Sequence, residues 1–114
     1  MEKRSFKLKE AGVDVDSVVD RLGGKELLYL KICHSFTNDQ SFYLFQQSID
    51  TGDFKTAMTQ IHTLKGVAGN LGFLRMESIC KNILWHLKCN DFTDLSEYQK
   101  QLKQEYSIIM EAIS

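Results

Sequence analysis

The chain contains no proline, and apolar residues recur at helical spacing in nearly every segment of it. Proline would break a helix interior, and the period-two alternation of a half-buried strand is nowhere convincing. Long helices are therefore what this sequence can make. Glycines punctuate them: Gly12, the pair Gly23–Gly24, and Gly52 fall between periodic runs, where helix ends and turns want them.

A short first run covers Val13 to Leu22. The second, KELLYLKICHSF, is apolar around much of its circumference and is expected to be well buried. The third contains SFYLFQQSI, with Phe42, Phe45 and Ile49 on one face. Asp53 is placed to cap a fourth helix running to Leu71, whose stripe is Phe54, Ala57, Ile61, Leu64, Ala68 and Leu71. A fifth, Leu74 to Lys88, carries Met76, Ile79, Cys80, Ile83 and Leu87. The sixth starts after Asp94, a second capping candidate, and points Leu95, Tyr98, Leu102, Tyr106, Ile109 and Ile113 inward. Long amphipathic helices with short connections bury such stripes most simply in an antiparallel bundle. The expectation is an all-α fold, a four-helix bundle with short additional N-terminal helices, with residues 1–11 as linker and 12–114 as the domain.

A chain of 114 residues suits one core. The net charge of -1 argues against a nucleic-acid partner. No apolar run approaches the ~20 residues of a membrane span, and no signal peptide is visible. A cytoplasmic location is expected, with no direct membrane contact by this domain. Three cysteines, Cys33, Cys80 and Cys89, give an odd count without a CxxC pair, as a reducing compartment would favour. Zinc on Cys80, His86 and Cys89 would need spacings that match no common ligand pattern, so no metal site is expected. His34 and His86 read as structural or incidental, and Trp85 and the phenylalanines as packing residues.

One stretch does not fit a purely structural helix. IHTLKGVAGNLGF, from Ile61, carries Gly66, Gly69 and Gly72, although a glycine inside a helix costs about 0.8–1 kcal/mol relative to alanine. At about 100° per residue, the apolar stripe centres about 120° from His62, while Gly66 and Gly69 lie about 40° and 20° to either side of it. His62 thus stands at the solvent edge. Side chains lean toward a helix N-terminus, so a bulky residue at 66 would cover the turn that carries the histidine. Lys65 adds a cation where an incoming anion would be stabilised. An accessible ring nitrogen, an open approach and a nearby cation are what phosphoryl transfer needs, since that reaction is mostly positioning and charge neutralisation. The plainer alternatives are a surface histidine, mid-helix glycines that serve tight packing, and a Gly72 that only caps the helix.

HTLKGVAGNLG resembles the signature of histidine-containing phosphotransfer (HPt) domains: a histidine, then Lys at the third position, Gly at the fourth, and a later Leu-Gly. VDVDSVVDRLGGKELLYLKICHSF and IDTGDFKTAMTQIHTLKG are similar to the segments that precede the active histidine in such domains, so that the likeness covers roughly residues 12 to 92. It implies a four-helix bundle and a module like the C-terminal one of bacterial hybrid sensor histidine kinases. On this likeness His62 is the phosphoacceptor, Lys65 stabilises the phosphoryl group and Gly66 leaves room for it. Thr59, Gly69 and Phe73 would lie on the surface that docks receiver domains. The domain would be a monomeric phosphocarrier without kinase activity, needing no cofactor of its own, with Mg2+ supplied on the partner receiver. One departure stands out. Many family members place Glu or Gln beside the imidazole, and the aligned position here is Leu84, which leaves Lys81, Ser78 or a water to orient the ring, or the ring less fixed. A degenerate adaptor that docks a receiver without transfer is the competing reading. An independent hydrolase would need clustered carboxylates or ligand-spaced His and Cys, which no helix face supplies.

Overall fold

A computed structural model describes residues 2–114. Its helices are α1 (Lys3–Glu10), α2 (Val15–Arg21), α3 (Glu26–Ser35), α4 (Ser41–Asp50), α5 (Phe54–Leu71), α6 (Leu74–Lys88) and α7 (Leu95–Ile113), with a 3-10 turn at Phe36–Asn38, and the described residues contain no strand. Helices α4 to α7 form the expected antiparallel bundle, α5 packing between α4 and α6, and α6 against α7. Phe42 on Tyr106, ring centroids 4.1 Å apart, and Gln99 against Gln46 close it between α4 and α7. The molecule is elongated along the bundle, 44 × 22 × 20 Å.

The stripes read from the sequence are the ones buried, except that Phe54, expected in the α5 stripe, is 38% exposed and stacks on Phe92. Ala57, Ile61, Leu64 and Ala68 of α5 are fully covered and share one core with Met76, Cys80 and Ile83 of α6 and Leu102 and Ile109 of α7. Asp53 caps α5 as expected: its carboxylate accepts from the Thr56 N–H at 3.1 Å and from its hydroxyl at 2.7 Å. These bonds hold the Asp53 carboxyl below the usual carboxylate range. Asp94 takes the cap position of α7 without a side-chain bond.

Three expectations are corrected. The segment expected as a linker contains α1, with Leu8 and Ser5 buried. The Ser5 hydroxyl donates to Glu26 at 2.8 Å, and Lys7 Nζ donates to the Ser114 carbonyl at 3.1 Å. Met1 lies outside the described residues. Helix α3 is covered only on the face of Tyr29, Leu30 and Cys33. Leu27 and Leu28 are 66% and 41% exposed, because α3 lies across the side of the bundle and not within it. Trp85 is 59% exposed and packs only its edge on His86.

The junction of α5 and α6 is the tightest point. Gly72 ends α5 in the left-handed conformation, φ 81°. A Cβ there would lie 2.8 Å from the Asp14 carbonyl oxygen. Glycine is thus required twice, by dihedral and by space. The Asp14 N–H donates to the Gly72 carbonyl at 2.9 Å, tying the start of α2 to this turn. Tyr29 adds its hydroxyl, donated to the Leu71 carbonyl at 2.8 Å.

Candidate functional site

His62 lies midway along α5 with its side chain exposed, as the helical wheel requires. Among the described residues neither ring nitrogen has a hydrogen-bond partner. Beside it is a shallow recess of about 340 Å³, lined by Met58, Thr59, His62, Thr63, Leu84 and Lys88. Two helices build it: α5 supplies the imidazole and both threonines, and α6 supplies one apolar and one cationic side chain.

The three glycines separate by function. A Cβ on Gly66 would have no neighbour within 4 Å, so this glycine serves no contact within the domain and leaves open space one turn from His62. Gly69 differs. Its missing Cβ would sit 2.4 Å from a carboxylate oxygen of Glu77, so the Gly69 surface is occupied by α6 of its own chain. Of the residues expected on a docking surface, Thr59 is exposed beside His62, Gly69 is covered by Glu77, and Phe73 is excluded. Phe73 is 1% exposed and packs edge-on against Phe36, centroids 5.3 Å apart. It is a core residue at the helix junction.

Lys65 is half-buried on the α5–α6 side and does not line the recess. Its charge is felt at the Cys80 thiol, which burial pushes up to about 12, with Glu77 raising it further and Lys65 opposing. The recess contains Leu84 where many members of the resembled family have an orienting Glu or Gln, and Leu84 is buried as part of the stripe, as expected. Ser78 and Lys81, considered as substitutes, are exposed and do not line the recess. Lys88 does. The sequence reading missed it, although it lies one helical turn beyond Leu84 and so on the same face.

The other histidines and the cysteines lie elsewhere. His86 Nδ1 donates to the Asn82 carbonyl at 2.8 Å, and its ring packs beside Tyr98. Cys80 is buried and Cys89 exposed, and no group of three potential ligands is placed to hold a metal ion among the described residues. No helix among them is long and apolar enough to cross a membrane.

Residues 38–112 match the family described as the Hpt domain, a span that takes in the whole of α4 to α6 and nearly all of α7. The chain belongs to this family, whose domains carry out histidine phosphotransfer in phosphorelay signalling and interact with receiver domains. No match was found among curated proteins or among solved structures.

Proposed function

We propose that His62 is the phosphoacceptor, taking a phosphoryl group from the aspartyl phosphate of one receiver domain and passing it to the aspartate of another. The observation that carries this is an exposed imidazole without internal partners, beside a recess and the unfilled space at Gly66. In the forward step a neutral ring nitrogen attacks phosphorus. The P–N bond forms as the P–O bond to the aspartate breaks, and the carboxylate leaves with the electron pair. The second transfer reverses this on a new carboxylate. Lys65 offsets the charge of the arriving phosphoryl group, and Gly66 lets the receiver approach. Mg2+ belongs to the receiver in this scheme, and the domain works as a cytoplasmic monomer, a module of a hybrid sensor kinase.

The test is to mix the domain with a phosphorylated receiver domain and Mg2+. Acid-labile, alkali-stable label should appear on wild type and fall to background in His62→Gln. Label that persists in His62→Gln would show that this histidine is not the acceptor. Binding without label in either protein would favour the adaptor.

A further inference from the structure

Leu84 offers His62 no hydrogen-bonding group, and the recess beside it has a restricted chemistry. Met58 and Leu84 offer it only apolar surface. Thr59 and Thr63 have hydroxyls, but both protons are turned back along α5, to the Lys55 carbonyl at 3.3 Å and the Thr59 carbonyl at 3.0 Å. Such back-bonding is the usual resting state of a helical threonine. Lys88 is therefore the one lining side chain besides His62 with a donor free to meet an anion. Its ammonium makes no ion pair among the described residues. A lysine held by a carboxylate at position 84 would be neutralised in place, whereas beside Leu84 its charge remains available.

We infer that the recess is a phosphoryl-binding subsite in which Lys88, reaching in from α6, neutralises the group carried on His62. The inference rests on the acceptor reading above and deepens it. Lys88 makes the contact from α6 while Lys65 acts from the α5–α6 seam, so two cations share the neutralisation of the phosphoryl group. No bond is made or broken by Lys88. It acts on the phosphorylated state, which carries negative charge that the free imidazole lacks, and so shifts the balance between phosphohistidine and phosphoaspartate toward the histidine.

The bland role of Lys88 is to complement the C-terminal dipole of α6, where it lies in the last turn with His86. The experiment separates the two. The domain is labelled by phosphoramidate alone, and separately equilibrated with a phosphorylated receiver, using wild type, Lys88→Met, Lys88→Arg and, as a control for net charge, Lys103→Met on α7. Lys88→Met should lower the phosphohistidine share at equilibrium about fivefold, the scale of one exposed charge pair, and shorten the lifetime of the label left by phosphoramidate. Lys88→Arg and Lys103→Met should stay within about twofold of wild type. A purely structural lysine would move the melting temperature of Lys88→Met and leave the equilibrium alone. Wild type labelled on His62 with an unchanged Lys88→Met equilibrium would overturn the subsite while sparing the acceptor. Absence of label on wild-type His62 would overturn both.

Discussion

Two regions of α5, the turns around His62 and its C-terminal end, carry glycine for opposite reasons. Around His62 the helix is stripped: Gly66 has empty space where a side chain would be, and the neighbouring recess opens to solvent. From Gly69 to Phe73 the helix is crowded, with Glu77 on Gly69, the Asp14 carbonyl on Gly72 and Phe73 sealed against Phe36. One region gives access and the other holds the frame that keeps the access point still. The difference lies in the neighbours, because on a helical wheel Gly66 and Gly69 are separated by only about 60°.

The largest effect should come from breaking the crowded region. Phe73→Ala removes a fully buried ring at the point where α5, α6 and the 3-10 turn meet. A loss of about 3–5 kcal/mol is expected, a large part of the roughly 5–15 kcal/mol that holds a domain folded. Urea unfolding measures it. If Phe73 instead belonged to a docking surface, the variant would keep its unfolding midpoint and lose receiver affinity.

A paired substitution sharpens the comparison. Gly66→Ala should stabilise the domain by about 0.8–1 kcal/mol, the helix-propensity difference, since the new methyl meets nothing. It should also slow transfer from a phosphorylated receiver, because the methyl leans over the turn of His62. Gly69→Ala has the same propensity gain, but its methyl forces the Glu77 carboxylate aside. Its stability should rise less, and transfer should proceed at the wild-type rate. Unfolding midpoints and transfer rates measured on the two variants decide the matter, and slowed transfer in Gly69→Ala alone would invert the assignment.

Much of this is legible in the sequence. The bundle follows from apolar stripes long enough to define one face each, and the exposure of His62 follows from its angle to that stripe. What could not be seen depends on cross-helix neighbours or on position outside a stripe. Phe73 sits between two helices, where no wheel assigns it a side. Helix α1, KRSFKLKE, buries little more than Leu8 and Ser5 and resembles a charged tether. The apolar run of α3 does not reveal that only one of its faces meets the bundle. Lys88 was within reach, since extending the register of Leu84 by one turn arrives at it.

The smallest expected effect concerns a buried charge on the sealed side. Glu105 of α7 is 4% exposed, with Arg75 Nε of α6 at 3.5 Å from its carboxylate. Burial raises its carboxyl above the ordinary range, and Arg75 opposes this without cancelling it. A raised folded value means that the native state binds the proton more tightly than the unfolded chain does. The associated stability is fully present below the unfolded carboxyl value of about 4.3 and is lost as pH rises through the folded one. Glu105→Gln keeps the shape and cannot ionise. Its stability relative to wild type should therefore climb as pH rises from the unfolded carboxyl value through the folded one. Urea midpoints of the two proteins at several pH values measure the slope. A difference that falls with rising pH would mean that Arg75 outweighs burial and that the sealed side is fastened by the ion pair itself.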